Sequence, residues 1–275
     1  MGAPGAESLV ARSFTCYDGG MICCSLNSGS NGNCIYLEAE GVKLLFDAGI
    51  SGKRTAERLA TCGRDVRDVQ AVIISHDHVD HIRCAGILNR KFGLPVYMTR
   101  QTYLAGRRYA PGPIYDLRHF RPGEALTFAS VTVQTVRTPH DGAEPVAFVI
   151  SDGYRRVGIL TDLGHVFRGL GELLRKLDAV FLESNYDPQM LASGPYSQYL
   201  KRRIAGEGGH LSNVESAELV AGVGNGRLQW VALSHLSQVN NTPELARRTH
   251  LEIAGGGCPI HVAGRHGPSE LLRVE

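Results

Sequence analysis

Residues 72–82 of this 275-residue chain read VIISHDHVDHI, in which His76, His78 and His81 follow an apolar run together with two aspartates. Imidazole and carboxylate groups are costly to bury without partners, and both bind divalent metals. A lone histidine is often structural, but three in one loop with Asp80 favour a metal site. The spacing lets His76 and His78 face one ion while Asp80 and His81 face a second, about 3.5–4 Å away, as in two-metal hydrolases. We expect Asp77 to face away.

Strand patterns precede further residues of the same type. His140 follows VTVQTVRT, Asp162 follows RVGILT, and His235 follows QWVALS. Side chains at strand ends are held by rigid elements while remaining open to solvent. The sequence therefore predicts one site assembled from the ends of four strands, the first being AVIIS before His76.

Strand and helix patterns are interleaved along the rest of the chain. Helices are predicted near residues 52–62, 85–92, 169–177 and 214–223 and from about Pro243. Interleaved strands and helices indicate an α/β protein with layers around one core. We predict a loose N-terminal extension over residues 1–20 and a single catalytic domain over residues 21–275.

Composition restricts the functional classes. The net charge of +2 neither requires nor excludes a nucleic-acid partner. Seven irregularly spaced cysteines form no disulfide framework, which favours a reducing compartment. No stretch predicts a signal peptide or a membrane span, and we expect a cytoplasmic protein without a membrane partner.

The motifs resemble a known superfamily. HDHVDH, together with Asp47 in DAG, His140, Asp162 in TDLG and His235 in SHLS, resembles the metallo-β-lactamase superfamily. That resemblance implies a four-layer αββα fold, with two mixed β-sheets packed face to face and helices outside. The segments SLNSGSNGNC, LESNYDPQML, GPYSQYLKRRI and LSHLSQVNNTPELA resemble the YycJ/WalJ branch. This branch is associated with phosphodiesterase activity, in particular 5′-to-3′ exonuclease activity on double-stranded DNA.

The resemblance also implies a set of metal ligands for two divalent ions, zinc or manganese. One ion would be held by His76, His78 and His140, the other by Asp80, His81 and His235, with Asp162 bridging them. Asp47 would orient the ligand loop. A hydroxide bridging two cations exists at neutral pH and attacks phosphorus, which implies cleavage of phosphodiesters in DNA.

Two histidines compete for the last ligand position. His235 follows an apolar strand, as the other ligands do, whereas His210 precedes the capping-box pattern Ser212-x-x-Glu215. We therefore assign His235 to the metal. We predict that His210, which counts with Asp80 among the catalytic residues, contacts the scissile phosphate and protonates the leaving oxygen.

Two segments are candidates for substrate contacts. The first is the SLNSGSNGN loop, through Ser28, Ser30 and Asn31, although a plain hairpin turn explains its composition equally well. The second is the basic run Lys201, Arg202 and Arg203, for which a solvated surface is the alternative.

Other functions are compatible with the same ligands. A small-molecule hydrolase acting on a β-lactam, a thioester or a cyclic phosphodiester is the main alternative. A binding module that keeps its metals without turnover is disfavoured, because the set of ligand-type residues is complete.

Overall fold

The computed structural model describes residues 20–109, 112–224 and 227–275, and they form two seven-stranded sheets. The predicted N-terminal extension, apart from Gly20, lies outside the described residues. The first sheet contains β1 (Met21–Asn27), β2 (Cys34–Ala39), β3 (Val42–Phe46), β4 (Ala71–Ile73), β5 (Val96–Thr99), β6 (Leu117–Phe120) and β14 (Leu272–Val274). The second contains β7 (Ala125–Phe128), β8 (Val131–Arg137), β9 (Val146–Ser151), β10 (Arg156–Leu160), β11 (Ala179–Glu183), β12 (Trp230–Ser234) and β13 (Ile260–Val262).

Each sheet is half antiparallel and half parallel. The strand orders are β14-β1-β2-β3-β4-β5-β6 and β13-β12-β11-β10-β9-β8-β7. Strands β3 to β6 are parallel, as are β10 to β13. The carboxyl ends of neighbouring parallel strands meet at one edge of a sheet, and this edge is where ligands bind in open α/β sheets.

The core lies between the two sheets. Phe46 of β3 packs on Phe148 of β9 with ring centroids 5.1 Å apart, and Phe181 of β11 packs on Trp230 of β12 at 5.3 Å. These rings belong to one buried cluster to which both sheets contribute. Strand β8 shows the period-2 alternation of a strand with one buried face.

Helices cover the two outer faces. They are α1 (Gly52–Thr61), α2 (Val79–Ile82), α3 (Ala85–Phe92), α4 (Arg100–Gly106), α5 (Leu170–Leu174), α6 (Pro188–Ser193), α7 (Gln198–Ile204), α8 (Asn213–Val223) and α9 (Pro243–Ala254). Leu59 and Leu88 pack on the first sheet, and Leu174 and Ala246 on the second. The predicted four-layer αββα fold is confirmed. No helix within the described ranges is both long and apolar enough to cross a bilayer.

Some elements differ from the sequence prediction. The helix predicted over residues 169–177 spans only Leu170–Leu174, because the chain must turn at buried Leu177 to enter β11. Strand β14 and helix α7 were not predicted. Strand β14 is three residues long and pairs with β1, at the other end of the described chain, and such distant pairing leaves no local signal.

Candidate metal centre

Strand ends place the predicted ligands together at one edge of the two sheets. His76 follows β4 of the first sheet, whereas His140, Asp162 and His235 follow β8, β10 and β12 of the second. His78 precedes the short helix α2, which carries His81. The two sheets therefore contribute to the same cluster.

Three histidines form one side of the cluster. His76, His78 and His140 each offer a ring nitrogen, and these atoms lie within 4.8 Å of one another. Nδ1 of His78 is 3.2 Å from Nε2 of His140. Asp162 Oδ1 is 3.6 Å from the same nitrogen of His140, so that a carboxylate oxygen faces the triad.

Asp80, His81 and His235 form the other side. Asp80 Oδ2 is 3.4 Å from Nε2 of His235 and 3.6 Å from Nε2 of His81. The second oxygen of Asp162, Oδ2, is 3.4 Å from Nε2 of His81. Asp162 Oδ1 lies 3.4 Å from Nδ1 of His235 as well as 3.6 Å from His140, so that Asp162 lies between the two sides of the cluster.

Several buried polar atoms of the cluster have no hydrogen-bond partner in the described part of the chain and could serve as ligands of divalent cations. Nε2 of His76 and both carboxylate oxygens of Asp162 are buried and have no hydrogen-bond partner among the described residues. Each such atom costs about 1–3 kcal/mol when it stays unsatisfied. Nitrogen and oxygen donors converging in this way suit zinc and manganese alike.

Hydrogen bonds behind the ligands fix the orientation of their rings. His81 donates from Nδ1 to Asp47 at 2.8 Å, and His140 donates from Nδ1 to the carbonyl of Gly209 at 2.8 Å. The hydroxyl of Ser75 lies 2.9 Å from Nδ1 of His76 and donates to Asp47. These bonds leave Nε2 of all three rings directed at the cluster.

Backbone strain accompanies the ligand geometry. Asp47, Asp162 and His235 have φ values of 65°, 55° and 58°, in the left-handed region that non-glycine residues rarely adopt. Such conformations cost on the order of 1–3 kcal/mol each and concentrate at functional sites. The strain turns these side chains sharply out of their strand ends.

The three-histidine side favours neutral rings. Burial lowers the pKa of His76 well below its usual value, and the nearby His81 ring lowers it further. Burial also lowers the pKa of His78 and of His140. Neutral imidazole is the form that binds a metal.

Carboxylates dominate the opposite side. Burial opposes the charged form of His81, but Asp47, Asp162 and Asp80 outweigh it and raise its pKa to about 9. The pKa of His235 is likewise raised despite burial, chiefly by Asp162 and by its hydrogen bond with Asp80. This side has an excess of negative charge that attracts cations.

Glu183 belongs to the site and was not predicted. It is the last residue of β11, is completely buried, and accepts hydrogen bonds from Nδ1 of His210 at 2.7 Å and from the backbone N–H of Leu163 at 2.9 Å. Burial opposes its charge, yet His210 and His235 hold the pKa of its carboxyl below the usual value. The signal was present, because AVFLE is an apolar strand that ends in a ligand-type residue.

His210 and His235 share two carboxylate neighbours, since Nδ1 of His235 lies 3.4 Å from Asp162 Oδ1 and 3.5 Å from Glu183 Oε1, but His210 is the one closely bonded to Glu183. Its ring nitrogen Nδ1 is bound to Glu183 and lies 3.6 Å from Asp162 Oδ1. Asp162, Glu183, His210 and His235 also offer ligand atoms within 4.8 Å of one another, which keeps His210 in contact with the cluster. The predicted capping box of Ser212 follows it and is confirmed.

Asp141 and Asn33 were also missed. Asp141 Oδ1 is 3.2 Å from Nε2 of His78, and its other oxygen accepts a hydrogen bond from Arg203 at 2.8 Å. Asn33 donates to Asp80 Oδ2 at 3.1 Å and lies 2.9 Å from Nε2 of His81.

The Ser- and Gly-rich loop is mostly structural in its contacts. Ser28 is 3% exposed, and its hydroxyl accepts a hydrogen bond from the N–H of His235 at 2.7 Å. The amide of Asn31 bonds to Asn27 and to the carbonyl of Arg265. Of the three residues of this loop that were predicted to contact substrate, Ser30 lines the cavity that opens at the cluster, and Ser28 and Asn31 do not.

An open cavity of about 220 Å³ gives access to the cluster. His78, His140, Asp162, His210 and His235 are among the residues that line it. The ligand atoms can therefore be reached from solvent at the edge of the sheets.

The three side chains of the predicted basic run have different surroundings. Arg203 lines the cavity and is bound to Asp141. Lys201 donates to the carbonyl of Ala192 at 2.6 Å, and Arg202 is exposed. Successive residues of a helix are about 100° apart, and the run in α7 therefore does not form a single basic surface.

Comparison with known proteins gives consistent results. Residues 43–231 match the family model described as a β-lactamase superfamily domain. The chain is 35% identical over 257 residues to exodeoxyribonuclease YycJ of Bacillus anthracis, covering 90% of this chain and 97% of that protein. It is 36% identical over 227 residues to exodeoxyribonuclease WalJ of Streptococcus pneumoniae, covering 82% and 84%.

A solved structure supports the same fold. The metallo-β-lactamase fold protein YhfI from Bacillus subtilis superposes with a TM-score of 0.70 at 17% identity, covering 91% of this chain and 99% of that one. Fold, ligand cluster and sequence matches agree. The chain therefore belongs to the β-lactamase superfamily as a metal-dependent hydrolase of the metallo-β-lactamase fold, similar to YycJ and WalJ.

Proposed function

We propose that the protein is a DNA exonuclease that cleaves phosphodiester bonds with two divalent metal ions, zinc or manganese. The unpartnered Nε2 of His76 and the two oxygens of Asp162, placed between two groups of ligands, carry this proposal. The names of the YycJ and WalJ relatives support DNA as the substrate. We propose 5′-to-3′ polarity from the resemblance of the sequence segments to the YycJ/WalJ branch, and a location in the cytoplasm from the cysteine pattern.

Two groups of residues would hold the ions. His76, His78 and His140 would bind one, and Asp80, His81 and His235 the other, with Asp162 shared. Bound cations lower the pKa of water and stabilise charge on a phosphoryl group. Asp47 would hold the His81 ring in position through their 2.8 Å hydrogen bond.

His210 is proposed as the proton donor to the leaving oxygen. Glu183 accepts the Nδ1 proton, which fixes the orientation of the ring and its tautomer. Nε2 then lies on the side of the ring away from Glu183, and His210 lines the cavity. When both ring nitrogens of His210 carry a proton, the one on Nε2 can pass to the oxygen that leaves phosphorus, while the one on Nδ1 stays bonded to Glu183.

A digestion panel tests the proposal. The metal-loaded protein is incubated with 5′-labelled and 3′-labelled duplex DNA, with single-stranded DNA, with RNA and with a chromogenic β-lactam. We expect mononucleotides to be released from the 5′ end, and a chelator should abolish the release. Efficient hydrolysis of the β-lactam with all nucleic acids intact would overturn the proposal.

A further inference from the structure

Tyr196 and one face of α7 form a wall of the cavity. Leu200, Arg203 and Ile204 line it from the helix, and their spacing of i, i+3 and i+4 places them on one helix face. Tyr196, two residues before the helix, lines the same cavity. Ser197 begins the helix by accepting a hydrogen bond from the N–H of Leu200 at 3.3 Å.

This wall is poorly suited to phosphate. It consists of one aromatic ring, two aliphatic side chains and one guanidinium. The guanidinium of Arg203 is already paired with Asp141 at 2.8 Å, which compensates its charge. Aromatic and aliphatic surface at a nucleic-acid site binds bases and sugars by stacking and apolar contact.

The cavity is small and open to solvent. Its volume of about 220 Å³ is below the roughly 300–1,000 Å³ of typical small-ligand pockets, and a single base suits it better than a base pair. Enzymes that do chemistry on a base of a duplex take that base out of the stack, and a base in contact with Tyr196 would likewise have to leave its stack.

We propose that Tyr196 and the α7 face bind an unpaired nucleobase next to the scissile phosphate, with the Tyr196 ring stacked on the base. This proposal rests on the proposed function, in which DNA is the substrate. Duplex ends would then have to fray by one base pair before cleavage. Tyr196 is in this view a positioning residue that selects nucleotides over other phosphodiesters.

The test combines a variant with a modified substrate. Tyr196→Ala is compared with Tyr199→Ala, a matched control three residues along the chain in α7, whose side chain is 73% exposed and outside the cavity lining. Both are assayed with single-stranded oligonucleotides that are intact, or abasic on either side of the first cleavable linkage. Tyr196→Phe keeps the ring and serves as the conservative variant.

We expect Tyr196→Ala to lower kcat/KM on the intact oligonucleotide by about 5- to 150-fold, the range for loss of one stacked base, mainly through KM. Tyr196→Phe and Tyr199→Ala should retain wild-type values. An abasic residue at the bound position should cause a similar loss in the wild type and little further loss in Tyr196→Ala.

Two kinds of failure are distinguishable. If the wild type degrades DNA but Tyr196→Ala equals Tyr199→Ala, or if neither abasic substrate is cleaved more slowly than the intact one, the nucleobase site is refuted and the exonuclease proposal stands. If the wild type cleaves no DNA at all, both proposals are refuted. Circular dichroism and thermal unfolding confirm that each variant is folded.

Discussion

Replacing Glu183 by glutamine tests whether the proposed proton transfer can be separated from metal binding, because Glu183 Oε1 lies 2.7 Å from Nδ1 of His210 and 3.5 Å from Nδ1 of the proposed ligand His235. The substitution keeps the size of a fully buried side chain and removes its charge. The hydrogen bond from Nδ1 of His210, 2.7 Å long, is the charge-assisted contact that would be weakened. Hydrogen bonds to charged groups contribute about 1.5–3 kcal/mol, which corresponds to a rate loss of about 10- to 150-fold if the bond acts fully in the transition state.

The assay compares two leaving groups. Cleavage of DNA requires a proton on the departing oxygen, whereas bis(4-nitrophenyl) phosphate releases a stable phenolate. Glu183→Gln and His210→Ala should therefore both slow DNA cleavage strongly and affect the chromogenic substrate little. The double variant should be no slower than His210→Ala alone, because Glu183 acts through His210. Glu218→Gln removes an exposed carboxylate from α8 and is the matched control.

Three results would refute this reasoning. An equal loss on both substrates would indicate general damage to the site. Lower metal content in Glu183→Gln, measured by elemental analysis, would make Glu183 or His210 a determinant of metal binding. Additive losses in the double variant would show that Glu183 has a role independent of His210.

Further predictions concern metal stoichiometry and stability. Asp162→Ala should reduce the metal content below two ions per chain, and a variant that retains both ions would contradict the bridging role. His235→Ala should lose one ion together with activity, while His210→Ala keeps both and slows turnover by about 10²-fold or more; the opposite pattern would reverse the two assignments. Glu38→Gln should lower the free energy of unfolding at pH 7 by about 1–3 kcal/mol, since it breaks the 2.6 Å ion pair with Arg64. Although burial opposes the charge of Glu38, Arg64 lowers its pKa from 4.5 in the folded state. The stabilisation should therefore vanish as the pH falls through that lowered value. If urea unfolding shows that wild type and Glu38→Gln differ in free energy of unfolding by the same amount at every pH, the assignment is contradicted.

The fold and the ligand cluster were largely predictable because their signals are local. Apolar strands that end in His or Asp predicted where His140, Asp162 and His235 would lie. Helix α3 was predicted over residues 85–92, the range that the structure has. The same rule applied to AVFLE would have included Glu183, since β11 lies between β10 and β12.

The substrate contacts were less predictable because they depend on which way a side chain turns. In the run Lys201 to Arg203, composition alone does not distinguish the residue that faces the cavity from those that do not. Ser28 lies in a loop with the composition expected of a phosphate-binding loop, but its hydroxyl accepts a hydrogen bond from the backbone N–H of His235. Asp141 follows His140 directly, and its contact with His78 depends on the packing of distant loops.

The division of the ligands between the sheets links the site to the stability of the whole sandwich. Asp47 and His76 follow strands of the first sheet, whereas His140, Asp162 and His235 follow strands of the second. The core between the sheets, including the contact of Phe46 with Phe148, is what holds these two sets in register. Cations that bridge the two sets would bind the packed state and not the separated sheets, and they would stabilise the fold in proportion to their affinity. Ions bound at this cluster would thus offset the cost of the buried carboxylates and strained backbone at the edge of the sandwich.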